Sequence, residues 1–137
     1  MKIVIDTNLV ASGIYFGGKP QILLQSAIKG DFDVFVSKEI TDEYKEIVER
    51  LSQKYPSRLE KLPLDLFVES CKTVVPKRKI DVCRDSDDNK FLECALESKS
   101  LYVVSGDDDL LSLKQFEDVE IITVAEFLKR FSGESIL

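Results

Sequence analysis

Two strand-like apolar runs constrain this chain more than any other feature, because both stop abruptly at acidic and polar residues. The first is Lys2-Ile3-Val4-Ile5-Asp6-Thr7-Asn8, with a strand expected at Ile3 to Ile5 and a loop or short helix after it through Gly17-Gly18; the second is Leu101-Tyr102-Val103-Val104-Ser105-Gly106-Asp107-Asp108-Asp109, with a strand expected at Leu101 to Ser105. Runs without polar alternation suit strands buried on both faces, as in parallel sheets covered by helices. In open α/β sheets the ligand crevice lies beyond the carboxyl ends of the strands, so acids placed there converge. Converging carboxylates repel one another unless protons or a cation neutralise them. The pattern therefore points to a hard divalent ion and to chemistry on phosphate.

The rest of the chain alternates in the same way. Pro20 and Gly30 bracket a helix with Ile22, Leu23, Leu24, Ala27 and Ile28 inward. Phe32 to Val36 reads as a second strand, and Ser37 as the N-cap of a helix with the stripe Ile40, Tyr44, Ile47, Val48 and Leu51. Two shorter helices are expected between Tyr55 and Cys71, the second starting near Pro63, then a brief strand at Thr73 to Val75. Asp85 or Ser86 should cap a helix reaching about Ser98. A short helix is expected around Leu110 to Leu113, and a last strand at Val119 to Ile122. Thr123 and Glu126 form a capping box for a final helix with Phe127, Leu128 and Phe131 inward, fraying from Ser132. This order predicts an α/β protein: a three-layer α/β/α sandwich around a mostly parallel sheet. At 137 residues one domain is expected over 1–137, with its core in about 1–131.

Composition removes whole classes of function. Histidine is absent, which excludes Ser-His-Asp and Cys-His triads, HExxH zinc sites and imidazole acid/base catalysis. Cys71, Cys83 and Cys94 form no CxxC pair, so a reducing compartment and no structural zinc are expected. No apolar run approaches the ~20 residues of a membrane span and the start has no signal-peptide pattern, so the expected location is the cytoplasm, with no membrane partner. The net charge of −6 weighs against nucleic-acid binding without vetoing it, because bound cations reverse the local sign.

Four acids stand out. Asp6 and Asp107 lie at strand ends, where the commoner use of aspartate is a cap or turn. At ~100° per residue, Glu43 falls at about −60° from Ile40, nearer the apolar stripe than Glu39, Asp42, Glu46 or Glu49. Its ordinary alternative is a boundary residue that snorkels to water. Asp88 precedes Phe91 by three and Leu92 by four, aiming a carboxylate into the core-facing stripe, where it needs a partner. Asp85 and Asp87 read as caps and first-turn acids. An oxygen-only cluster of Asp6, Glu43, Asp88 and Asp107 suits one or two Mg²⁺ or Mn²⁺ ions.

These residues also fall into a known order: I-D-T-N-L at Ile5 to Leu9, S-x-x-I-x-x-E-Y at Ser37 to Tyr44, C-R-D-S-D-D-N-K-F-L at Cys83 to Leu92, and V-S-G-D-x-D-L-L at Val104 to Leu111. Together they closely resemble the PIN-domain family, in particular its single-domain prokaryotic members of the toxin-antitoxin type, over Met1 to about Phe131. The resemblance implies a Rossmann-like fold, Mg²⁺- or Mn²⁺-dependent endoribonuclease activity on RNA, a cognate antitoxin and a homodimer. It implies that Asp6, Glu43, Asp88 and Asp107 carry catalysis and the metal, with Asp109 as an extra ligand and Asn8 and Ser105 as supporting polar groups. Ser86 stands where many close relatives have proline.

Other readings compete. A haloacid-dehalogenase-like phosphatase wants a second Asp where Asn8 stands, and a receiver domain wants a lysine in a context that Lys114 lacks. An inert binding module with an acidic pocket would present Ile14-Tyr15-Phe16 to a partner. For RNA contacts the densest basic cluster is Lys77-Arg78-Lys79, although such a run more often serves as a solvated loop; Lys19 and Lys90 are weaker candidates.

Overall fold

The computed structural model describes residues 1–136. Its elements are β1 (Lys2–Ile5), α1 (Thr7–Tyr15), α2 (Gly18–Lys29), β2 (Asp33–Val36), α3 (Lys38–Lys54), α4 (Leu64–Ser70), β3 (Lys72–Thr73), α5 (Asn89–Ser98), β4 (Tyr102–Val104), α6 (Asp108–Leu111), β5 (Gln115–Phe116), β6 (Val119–Ile122) and α7 (Val124–Ile136). The six strands form one sheet in the order β3-β2-β1-β4-β6-β5, parallel throughout except for β5 against β6. Ile3, Val4 and Ile5 are each wholly buried although successive side chains point to opposite faces, so both faces of β1 are covered.

The strand order reverses at β1, which pairs with β2 on one side and β4 on the other. Ile5 is registered with Val104, and the Asp6 N–H continues the ladder to the Val104 carbonyl at 3.0 Å. Asp6 and Ser105 thus leave the sheet side by side at its switch point, where open α/β sheets have their crevice.

Local signals account for most boundaries. Asp6 caps α1, Ser37 caps α3 and Thr123 caps α7, each accepting a backbone N–H three residues on. Gly30 closes α2 in the left-handed region at φ 87°, where glycine carries no Cβ penalty. Gly13 lets α1 approach α2: a Cβ there would meet Leu24 Cδ1 at 2.6 Å and the Pro20 carbonyl at 2.9 Å.

Several expectations are corrected. α2 begins two residues before Pro20, leaving Ile22 half exposed rather than inward. Between Tyr55 and Cys71 only α4 is helical. Pro56 disfavours helical geometry at Tyr55, and the N–H groups of Lys61 and Leu62 go to the Ile14 carbonyl at 2.7 and 3.3 Å. Ile14 and Tyr15 are buried under that loop, leaving Phe16 as the exposed member of the expected surface run. β3 falls one residue early, at Lys72–Thr73, and β5 was not expected because two residues carry no period. The expected helix from Asp85 or Ser86 to Ser98 is broken into a single 3₁₀ turn at Ser86–Asp88 and then α5. At the carboxyl end, α7 continues through Ser132 to Ile136; Leu137 of the expected frayed tail lies outside the described residues.

The first two turns of α5 are buried on every side, from Asn89 to Ala95. Its polar residues at four-residue spacing hold the segment 77–83 in place. Glu97 accepts from the Lys77 N–H at 3.0 Å, Glu93 from the Ile80 N–H at 2.9 Å, and Asn89 from the Val82 and Cys83 N–H groups at 3.1 and 3.0 Å. Side chains of one helix therefore satisfy backbone donors that no strand partner takes up.

Candidate active site

A cleft of about 210 Å³ at the carboxyl end of β1 and β4 is lined by Asp6, Glu43, Asp88 and Asp107, the four acids singled out in the sequence. Asp6 is delivered by β1, Asp107 by the turn after β4, Glu43 by the second turn of α3, and Asp88 by the junction between the 3₁₀ turn and α5. Asp85 and Asp87 also line it; Asp85 accepts the Asp87 N–H at 3.0 Å, a capping use.

The acids fall into two unlike pairs. Asp6 is 3% exposed and fully engaged: the Leu9 N–H donates to Oδ1 at 2.9 Å, the Gly106 N–H to Oδ2 at 3.3 Å, and the Ser105 hydroxyl to Oδ2. Burial raises its pKa, and these three donors oppose the rise. Ser105, wholly buried, also accepts the Asp107 N–H at 2.9 Å, so one hydroxyl links both strand ends. Glu43 is equally engaged. The Thr7 hydroxyl donates to its Oε1, and Lys90 Nζ lies 2.6 Å from its Oε2. Lys90 is 6% exposed and also donates to the Asp87 carbonyl at 2.7 Å.

Asp88 and Asp107 have no such partners. Asp88 stands at the N-cap position of α5 without its side chain accepting a capping N–H, and its Oδ2 is a buried side-chain oxygen with no hydrogen-bond partner among the described residues. Burial, a hydrogen bond with the Asp107 carboxyl and the charges of Asp107, Asp85 and Asp6 push its pKa up to about 7. The other Asp107 contact is the Asp109 N–H at 3.1 Å, which it accepts as the cap of α6.

The remaining expected residues are dispersed. Asn8 is exposed at the mouth of the cleft. Asp109 is turned toward Arg84, 3.5 Å away, and does not line the cleft. Lys77, Arg78 and Lys79 do not line it either, and Arg78 is paired bidentately with Glu117 at 3.0 and 2.8 Å. Two contributors had no sequence signal of their own. Thr7 follows a strand like any turn residue, and the charge of Lys90 hid the fact that α5 has no solvent-facing side near its start.

A family model described as the PIN domain matches residues 2–109, which include all four cleft acids. The chain belongs to the PIN-domain family. An uncharacterized protein of Methanocaldococcus jannaschii is 31% identical over 144 residues, covering 96% of this chain and 92% of the archaeal protein. PIN domains are generally nucleases that use divalent metal ions. The fit of such an ion can be judged from this PIN domain's own donors. An orphaned buried oxygen on Asp88, a carboxyl pressed against another carboxyl and an all-oxygen surround match a hard cation. Against that, no group of three His, Cys, Asp or Glu side chains among the described residues is arranged to hold a metal ion, and Glu43 is already neutralised by Lys90. The donor chemistry fits a hard cation, while the spacing of the described side chains is wider than a ligand set. Among the described residues no helix is long and apolar enough to cross a membrane.

Proposed function

We propose that this PIN domain is a metal-dependent endoribonuclease whose cation is held by Asp88 and Asp107, with Asp6 behind them. The observation that carries the reading is the Asp88 carboxyl: a buried oxygen without a partner, facing a second carboxyl, in a crevice at the switch point of the sheet. A Mg²⁺ or Mn²⁺ ion bound there supplies Lewis acidity toward a phosphodiester and its attacking water. Asp6, fixed by Leu9, Gly106 and Ser105, contributes immobile negative charge. Glu43, pinned by Thr7 and Lys90, walls the cleft from the α3 side, and Asn8 at the mouth offers an amide to the substrate backbone.

The test is cleavage of a mixed single-stranded RNA by the purified protein with Mn²⁺ or Mg²⁺, alongside chelator and Asp88→Asn. Metal-dependent cutting that the variant loses is the expected result; no cutting, together with no effect of Mn²⁺ on Tm, sinks the proposal. The closer assignment, the toxin of a toxin-antitoxin pair acting in the cytoplasm as a homodimer, rests on the order of the four motifs and on three free cysteines. Growth arrest on expression, relieved by a partner encoded beside it, is the result expected of a toxin.

A second reading has its own observation. Glu43 is occupied by Lys90 and, among the described residues, no three acids are arranged around one ion, as an inert binding module would have them. Calorimetric titration with Mn²⁺ separates the two, since the inert module takes up no ion and the nuclease does.

A further inference from the structure

A second cleft, of about 380 Å³, opens between α1 and α3 and is walled by Ser12, Phe16, Arg50 and Lys54, with Asn8 and Ile47 at one end. Asn8 and Ile47 also line the acidic cleft, so the two adjoin there. Along α3 the wall follows one helical stripe. Glu43, Ile47, Arg50 and Lys54 are spaced by four, three and four residues, and lead about 16 Å away from the acids. The sign of charge changes along that stripe, and no carboxylate lines the second cleft although the chain carries −6 overall. Glu46 pairs with Arg50 at 3.3 Å on the exposed side of the helix.

The far end is aromatic. Phe16 is 45% exposed and meets Tyr55 edge to face at 6.3 Å, while the Arg58 guanidinium lies 4.9 Å from the Phe16 ring and 6.0 Å from Tyr55. An exposed ring set among guanidinium and ammonium groups, in a groove leading to phosphate chemistry, has the composition of a single-strand track. Cations follow the backbone and flat faces take unstacked bases. A protein partner would be served by an apolar patch without charge, whereas here Arg58 lies over the Phe16 ring, Lys54 over the Tyr55 ring at 5.4 Å, and Arg50 lines the same cleft.

We propose that the α1–α3 cleft is a single-stranded nucleic-acid subsite, in which Phe16 stacks a base and Arg50 and Lys54 neutralise phosphates, guiding the strand into the acidic cleft. The proposal rests on the nuclease reading. About 16 Å accommodates several nucleotides at a rise of ~3.4 Å.

The test is fluorescence anisotropy with a labelled single-stranded RNA in EDTA, so that binding is read without turnover, over a range of salt. Phe16→Ala should weaken binding about 5- to 150-fold and Phe16→Tyr should retain it, because only the stacking face is at issue. The double variant Arg50→Ala/Lys54→Ala should lower the salt slope by about 1.4, and Lys79→Ala should leave it unchanged. Variants that bind and cut like the wild type would overturn the subsite and leave the nuclease standing. Variants that alter self-association in sedimentation but not RNA binding would overturn it in favour of a protein contact. A wild type that neither binds nor cuts would overturn both.

Discussion

The two halves of the acidic cleft differ in how their charge is met. On the Asp6–Glu43 side nearly every oxygen has a donor: backbone N–H groups, the hydroxyls of Ser105 and Thr7, and the Lys90 ammonium. On the Asp88–Asp107 side one carboxyl faces another, and a buried oxygen is left bare. Buried polar atoms in folded proteins are almost always paired, so the satisfied half is explained by folding alone. The unsatisfied half is not: its bare oxygen and its facing carboxyls lie between α5 and the turn after β4.

The largest expected effect is on the bare side. If the proposed chemistry holds, Asp88→Asn should lower the rate of RNA cleavage by about 10²–10³-fold or more, the scale for losing a group that stabilises transition-state charge. It should leave the metal-free protein as stable or more so, since repulsion with Asp107 is relieved. A Tm that falls instead would make Asp88 a structural residue like Asp6.

On the satisfied side the sign reverses. Lys90→Met should destabilise by about 2–3 kcal/mol, somewhat below the range for a fully buried pair because Glu43 keeps some water. Adding Glu43→Gln should recover part of that loss in chemical denaturation; no recovery would mean that the lysine stem, not its charge, matters. Ser105→Ala should cost about 1.5–2 kcal/mol, because the Asp6 carboxyl loses a donor that water cannot replace at that depth.

A smaller effect follows pH. Folded Asp88 keeps its proton to about pH 7, and the unfolded chain releases it near ~3.9. Between those values the folded state binds more protons. The contribution of this group is therefore fully present below about pH 4 and is lost as pH rises to about 7. In chelator, Tm should decline over that window in the wild type and not in Asp88→Asn; identical profiles would dissolve the contrast between the two halves. Smallest of all, Arg78→Ala removes an exposed pair with Glu117 and should not shift Tm measurably in the same scans.

The basic cluster shows that charge density along the chain does not give a residue's place in the fold. Lys77-Arg78-Lys79 is the densest positive run, yet its segment is bonded to Glu97, Glu93 and Asn89 of α5 and takes no part in the acidic cleft. The cations of the α1–α3 cleft are scattered over Arg50, Lys54 and Arg58, each beside acids or polar residues in sequence, so no run advertises them. The loop from Tyr55 to Pro63 was illegible for a related reason. Its backbone donors are taken by Ile14, a residue more than forty positions away.

The sequence by itself determined β1, β2, β4 and β6, the main helices and the convergence of Asp6, Glu43, Asp88 and Asp107. Strand runs, caps and helical periods are local, and the parallel order then sends β1 and β4 to one crevice. Only the tertiary structure decided which of these acids are satisfied, because that depends on side chains from other elements. Thr7 and Lys90 reach Glu43, Ser105 reaches Asp6, Arg84 draws Asp109 aside, and among the described residues no hydrogen-bond partner reaches Asp88 Oδ2. Local preferences specify where a carboxylate is presented; its charge state and partners follow from long-range packing, which no period in the sequence encodes.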